Sequence, residues 1–263
     1  MKKKLHLVKL GGNIIENPEE LEEFLIDFSK IDAPKILIHG GGKLATKLAE
    51  RLGIKQNMID GRRITDAETL EIITMVYGGL ISKKIVASLA AHNNQALGLS
   101  GADLNCMTAV RRPVNPIDYG YVGDPQKVDS KVLGDLLNSG FVPVFSALSH
   151  DGKGQLLNTN ADTMASVIAS ALSDGYDCFL YYCFEKKVVL KDIKDDNSVL
   201  SEINLATYQK MRSENQVYAG MIPKIDTAFE AVKNGVKEVF ILKAEDLLSV
   251  IKSNVKNGTK ISL

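Results

Sequence analysis

The sequence predicts an α/β fold, a three-layer α/β/α sandwich around a mainly parallel open sheet. Two observations carry this reading. Strand-like apolar runs alternate with helix-like amphipathic runs over most of the 263 residues, and the first two strand-like runs end in glycine turns. Leu5-His6-Leu7-Val8-Lys9-Leu10 reads as a buried strand followed at once by Gly11-Gly12. Lys35-Ile36-Leu37-Ile38 reads as another, closed by His39-Gly40-Gly41-Gly42, after which Ala45, Leu48, Ala49 and Leu52 recur on one helical face. Bare backbone N–H groups beside a positive helix N-terminus are a common seat for phosphate. Both turns are expected at the carboxyl ends of strands, where open α/β sheets bind ligands. Taken singly, each is equally well a tight strand-to-helix connection.

The later elements follow in order. Thr65-Asp66-Ala67-Glu68 forms a capping box for a helix through Leu70, Ile73 and Tyr77, and Gly78-Gly79 is expected to break it before a second helix carrying Ile81, Ile85 and Leu89. Leu104 to Arg112 and Tyr119 to Gly123 read as strands around the loop Arg112-Pro113-Val114-Asn115-Pro116. Phe141-Val142-Pro143-Val144-Phe145 reads as a strand whose proline argues for an edge or terminal position. Ser149-His150-Asp151-Gly152-Lys153-Gly154 is a hairpin tip, and Asn160 caps a helix with Met164, Ile168 and Leu172 on its apolar face. Ser173-Asp174-Gly175 marks the boundary between lobes 1–173 and 174–263. Pro223 suits the first position of a helix whose apolar face is Ile225, Ala228, Phe229 and Val232.

With 45% hydrophobic residues there is ample material for a core. Lysine plus arginine equals aspartate plus glutamate at 32 each, so the net charge favours neither nucleic acid nor an anionic membrane as partner. Cys106, Cys178 and Cys183 have no metal-ligand spacing and suit a reducing compartment, and the opening MKKKLHLVKLGG is too short and too charged for a signal peptide or membrane span. A cytoplasmic location is the expectation.

Two lysines stand out. Lys9 ends an apolar strand, where a buried ammonium is costly without a fixed anion or a ligand, and Lys224, in Gly220-Met221-Ile222-Pro223-Lys224, sits in the first turn of a helix, against its dipole. A phosphoryl group between them explains both positions; ordinary solvent-exposed lysines are the plainer reading. Asp162, in Asn158-Thr159-Asn160-Ala161-Asp162, suits a helix N-terminus and also the part of a counter-charge that holds lysines. Asn158 is either a turn residue or an amide presented to a small polar ligand. Arg63, in Gly61-Arg62-Arg63-Ile64-Thr65, can hold a carboxylate through two parallel hydrogen bonds. Rival readings of the glycines fail. A dinucleotide pattern with Asp60 on the ribose is weak because Gly11-Gly12 already occupies the first strand turn, an esterase oxyanion hole lacks a Gly-x-Ser-x-Gly elbow, and a Walker A loop is absent.

In order, the segments Lys9–Gly12 (KLGG), His39–Lys43 (HGGGK), Asp60–Thr65 (DGRRIT), Asn158–Asp162 (NTNAD), Gly220–Lys224 (GMIPK) and Gly258–Ile261 (GTKI) resemble those of the acetylglutamate kinases within the amino-acid-kinase family. The resemblance spans nearly the whole chain. It implies the α/β/α fold, an N-terminal lobe that binds acylglutamate, a C-terminal lobe that binds ATP, and transfer of the γ-phosphoryl group to the side-chain carboxylate of N-acetyl- or N-succinylglutamate, the second step of arginine biosynthesis. It further implies that Lys9 and Lys224 supply positive charge and that Asp162 orients them. Backbone N–H groups of Gly11, Gly12, Gly41 and Gly42 would line the phosphate path, and Arg63 and Asn158 would hold the amino-acid end. Mg²⁺ would arrive with the ATP. The chain departs from the family at Leu180-Tyr181-Tyr182-Cys183-Phe184-Glu185-Lys186-Lys187, which has no aspartate before Lys191-Asp192, and at the longer Arg111–Asp118 loop. The first departure also suits a catalytically silent member acting as a metabolite sensor. Against that stands the joint presence of Lys9, Lys224, Asp162 and both glycine turns. In this family arginine control goes with an extra N-terminal helix, and only eight residues precede Lys9, so a homodimer built on the Leu70–Leu89 segment and indifferent to arginine is expected.

Overall fold

The computed structural model describes residues 2–59, 62–185, 200–214, 221–253 and 257–263. Asp60, Gly61, Lys186, Lys187, Lys191, Asp192 and Gly220, which figure in the sequence motifs, lie outside them. Strand β1 (Lys3–Leu10) leads through helices α1 (Gly12–Glu16) and α2 (Pro18–Ser29) into β2 (Lys35–His39) and α3 (Gly42–Arg51). A ribbon of β3 (Asn57–Ile59) and β4 (Arg62–Ile64) precedes one long helix, made of α4 (Ala67–Ile73), a π-helical stretch Thr74–Ile81 and α5 (Ser82–Ala91). The chain continues through β5 (Ala96–Leu99), β6 (Met107–Arg111), β7 (Gly123–Val128), α6 (Ser130–Asn138), β8 (Val142–Ser146), β9 (Leu148–His150), β10 (Leu156–Asn158), α7 (Ala161–Leu172) and β11 (Tyr176–Phe184). The remaining elements are β12 (Glu202–Asn204), α8 (Leu205–Ser213), α9 (Ile222–Lys233), β13 (Glu238–Lys243), α10 (Leu247–Ser253) and β14 (Thr259–Ser262).

The main sheet has the order β12-β14-β13-β11-β1-β2-β8-β5 and is parallel except for the β13–β14 pair. It runs unbroken across residue 173, since β1 pairs with β2 on one side and β11 on the other. The alternation of the central strands sorts their side chains between two helical layers. Leu5, Leu7, Ile36, Ile38, Leu180 and Tyr182 join the core under α6, α7 and α9, whereas Val8, Leu10, Leu37 and Tyr181 join the core under α1, α2 and the long helix. A strand buried on both faces has no polar positions to spare, which is why Lys9 is conspicuous. A smaller sheet, β10-β9-β6-β7, carries the hairpin tip expected at Ser149–Gly154.

Several expectations are corrected. Gly78-Gly79 does not break the helix. The turns widen to π geometry instead, and Leu70, Ile73, Tyr77, Ile81, Ile85 and Leu89 all stay buried on one side. Four-residue steps drift by about 40° in an ideal α-helix, and the wider turns take up that drift. The helix cap is Asp66, whose side chain accepts from Thr69 N–H, so Thr65 is free for another role. Tyr119–Val122 forms single bridges to Thr65 and Asn158, with the strand starting only at Gly123, because Gly120 turns the backbone at φ +71°. Leu104 and Asn105 take positive φ in a short 3₁₀ turn, which delays β6 to Met107. Pro143 lies in an interior strand. Val142 N–H donates toward β5, so the missing N–H of Pro143 faces β2, whose pairing begins only at Val144.

Gly41 and Gly79 make opposite predictions. Gly41 has φ +153°, and a Cβ there would stand 2.2 Å from Ile81 Cδ1 and 3.1 Å from the Tyr77 ring, whereas Gly79 has nothing within 4 Å. Gly41→Ala is expected to lower unfolding stability by about 1–3 kcal/mol through overpacking, and Gly79→Ala to raise it by about 0.5–1 kcal/mol through chain entropy. Urea midpoints at constant m-value check both.

Candidate active site

The carboxyl ends of β1, β2, β8 and β11 open on one edge of the sheet, and the glycine turns of β1 and β2 lie there. The two turns are not equivalent. Gly11 N–H donates to Cys183 O at 2.9 Å, and a Cβ on Gly11 would stand 3.0 Å from that oxygen. Gly11 is thus a packing glycine that locks the turn onto β11, not a donor to a ligand as the motif implied. Gly12 opens α1 with open space around its Cα, and Gly41 and Gly42 lead into α3. The β2 turn is held from below by His39. This side chain is fully buried, and because Gly40 O can only accept, the 2.9 Å contact assigns the proton to Nδ1. Burial pushes the His39 pKa down to about 4, so the ring is neutral near pH 7.

Lys9 points into the α7–α9 layer, on the same face as Leu5 and Leu7. Its Nζ lies 2.7 Å from Asp162 Oδ1, and both side chains are largely buried. Asp162 is delivered by α7, whose first turn is capped by the Asn160 side chain on Thr163 N–H and steadied where Tyr182 Oη donates to Asp162 O at 3.1 Å. A Cβ on Gly40 would lie 3.8 Å from Ala161 Cβ, so the glycine turn abuts the start of this helix. Lys224 enters from the first turn of α9, with Pro223 beside it at the helix start, and its Nζ sits 3.5 Å from the centroid of the Phe184 ring. Burial, and then the charge of Lys9, hold the Lys224 pKa below the ordinary lysine value, against Asp162 and Glu185. Among the described residues, the edge therefore brings together the ammonium groups of Lys9 and Lys224 and the carboxylate of Asp162, with Glu185 near enough to act on Lys224. Cys183 lies beside Lys9 but is fully buried, and its thiol is pushed far up by burial, which removes it as a nucleophile.

Arg63 is placed at the glycine turn, but not as an open fork. Its Nη2 donates to Gly42 O and to Thr46 Oγ1, both at 2.8 Å, and Nη1 donates to Gln56 Oε1. With Nη2 spent twice, no parallel pair of donors is open, and the two-pronged grip expected from sequence is replaced by a clip of β4 onto α3. Asn158 ends β10 at the approach to α7, and its Nδ2 donates to Thr65 Oγ1 at 3.0 Å. Sequence reasoning missed Gln56, Thr46, Thr65, Tyr77 and Phe184. Their partners lie in other elements of the fold, so no local pattern marked them.

The amino acid kinase family profile matches residues 4–243. The acetylglutamate kinase of Cytophaga hutchinsonii is 52% identical over 259 residues, 98% of each chain. That of Bacteroides fragilis strain YCH46 is 53% identical over 261 residues, covering 99% of this chain and 98% of its own. Among solved structures, the smu.665 protein of Streptococcus mutans UA159 superposes with a TM-score of 0.79 at 25% identity, over 98% of both chains. Carbamate kinase from Giardia lamblia, bound to AMP-PNP, shares the fold with a TM-score of 0.70 at 15% identity, over 99% of this chain and 98% of its own. A match that runs from β1 through β13, and takes in both glycine turns and the pair of lysines, means that the chain belongs to the amino acid kinase family.

Proposed function

We propose that this chain is the kinase that transfers the γ-phosphoryl group of ATP to the side-chain carboxylate of N-acetylglutamate, in arginine biosynthesis. The observation that carries it is the Lys9–Asp162 ion pair with Lys224 beside it at the carboxyl edge of the sheet, in a chain about half identical to acetylglutamate kinases along its whole length.

The chemistry suits the residues. The attacking carboxylate is ionised near pH 7, so one of its oxygens forms the new bond to phosphorus while the bond from phosphorus to the β-bridging oxygen breaks, and no general base is needed. Catalysis then rests on alignment and on offsetting charge in the transition state. Lys9 faces the transferring phosphoryl oxygens, Lys224 faces the leaving ADP, and Asp162 keeps Lys9 aimed without joining the reaction. N–H groups of Gly12, Gly41 and Gly42 line the phosphate path. Arg63 fixes the Gly42 end of that path and offers its Nε–H to the amino-acid end of the substrate, with the second Nδ2 proton of Asn158 opposite. Residues 1–173 hold the acylglutamate and 174–263 the nucleotide. Asp162 is committed to Lys9, so Mg²⁺ is carried by the ATP phosphates, where it offsets their charge.

A coupled assay tests the reading. ADP release is expected with N-acetylglutamate, and with N-succinylglutamate if the acyl pocket tolerates it, but not with free glutamate or aspartate; release with none of the four would sink the proposal. Lys9→Ala and Lys224→Ala are each expected to cut kcat by about 10²–10³, with folding checked by circular dichroism. Turnover within a few-fold of the parent would remove that lysine from the reaction. Arg63→Ala is expected to raise the acylglutamate KM more than it lowers kcat, and, because it also releases the clip on α3, to lower the melting temperature.

The long helix supplies the assembly proposal. Met75 and Leu80 are 53% and 48% exposed on its outer face, large apolar side chains suited to a two-fold contact between copies. Light scattering is expected to give a dimer mass that falls to the monomer with Leu80→Glu; a parent monomer would refute the contact.

A further inference from the structure

Phe184 closes β11 at the edge where the two lysines meet, and both reach it. Its ring centroid is 3.5 Å from Lys224 Nζ and 5.0 Å from Lys9 Nζ. Phe184 is 7% exposed, and Gly11 is pinned against its ring, since a Cβ there would come within 3.3 Å of Phe184 Cδ1. The β1 turn and the ring are thus shaped to one another. Lys9 has Asp162 as its counter-charge, whereas among the described residues Lys224 makes no ion pair. A second ammonium in this setting bears both desolvation and repulsion from Lys9. A carboxylate in contact with it would relieve both, but would also compete with the phosphate for the same charge. A π face attracts the cation and leaves that charge in place.

We infer that Phe184 is a positioning residue whose ring holds the Lys224 ammonium in the phosphoryl path, without an ion pair among the described residues, with the Lys9 ammonium also over the ring, farther from its centroid. The inference rests on the assignment of Lys224 to the leaving phosphate. The charged and titratable groups around the ring are Lys9 from β1, Asp162 from α7, Lys224 from α9, and Cys183 and Glu185 flanking it in sequence. Lys243 of β13 lies opposite in register and pairs with Glu245, and Glu20, Glu23 and Asp27 of α2 line the adjoining cavity. Loss of the ring's attraction leaves burial and Lys9 unopposed by it, so the Lys224 pKa falls and the alkaline limb of kcat moves to lower pH.

The test replaces Phe184 with phenylalanines carrying one, two or three ring fluorines, which keep the shape and progressively cancel the negative face, alongside Phe184→Leu and Phe184→Tyr. Turnover is expected to fall stepwise with fluorination and about tenfold or more in Phe184→Leu, equivalent to about 1.4 kcal/mol. The acylglutamate KM should hold, and Phe184→Tyr should restore both kcat and the alkaline limb. A kcat and pH profile unchanged from the parent to the trifluoro variant would overturn the inference. NMR titration of the Lys224 side chain in the same series separates this failure from failure of the kinase reading. A stepwise fall in its pKa supports the cation–π seat even in a chain that releases no ADP, and a constant pKa overturns it even in an active one.

Discussion

A lysine ammonium at the end of a strand buried on both faces must be neutralised, and most of the site's construction follows from how that is done. Leaving Lys9 unpaired in this layer would cost several kcal/mol, and removing one partner of such a pair typically costs about 3–5 kcal/mol. The neutralising group is Asp162, 2.7 Å away, and it can reach only because α7 starts directly over the β1 edge. That start is held by the Asn160 cap, by Tyr182 on the Asp162 carbonyl and by the fully buried Met164, Ala165 and Ile168 beneath. A single ion pair thereby ties the sheet, the first turn of a helix and the reactive edge into one arrangement.

The second ammonium obeys a different rule. Lys224 comes from α9, which packs along α7, so two helix N-termini and two lysines converge on the same edge. Positive helix ends and paired ammonium groups raise the potential where a highly charged anion is to be handled. The aromatic ring of Phe184, which both ammonium groups approach, suits a site that must keep its positive charge available.

The glycine turn of β2 is over-determined. His39 holds Gly40 from below, Tyr77 and Ile81 crowd Gly41, and Arg63 grips the carbonyl of Gly42. The π-helical stretch matters here because it keeps both Tyr77 and Ile81 on the face that meets the turn, which Gly78-Gly79 permits without ending the helix. Rigidity of this kind suits a reaction that depends on alignment of an already ionised nucleophile rather than on proton transfer.

The fold class, both glycine turns, the Asn160 cap and the hairpin at Ser149–Gly154 were legible in the sequence, because each depends on residues adjacent in the chain or repeating at a fixed period. So were Lys9 and Lys224, whose charges look misplaced against local pattern, whereas Asp162 suits its helix N-terminus and drew notice only beside them. Contacts across the chain were not legible. Gly11 proved to be bonded to Cys183, Arg63 to be closed onto Gly42, Thr46 and Gln56, and Thr65 to be the partner of Asn158. Local pattern specifies which backbone turns and buried faces a segment prefers, and so by itself it determined the layers and the edge at which the glycine turns open. Which donors remain open, and which ring lies beneath which ammonium, depends on distances between separate elements of the fold, from β4 against α3 to β1 against β11, and only the tertiary packing decides those.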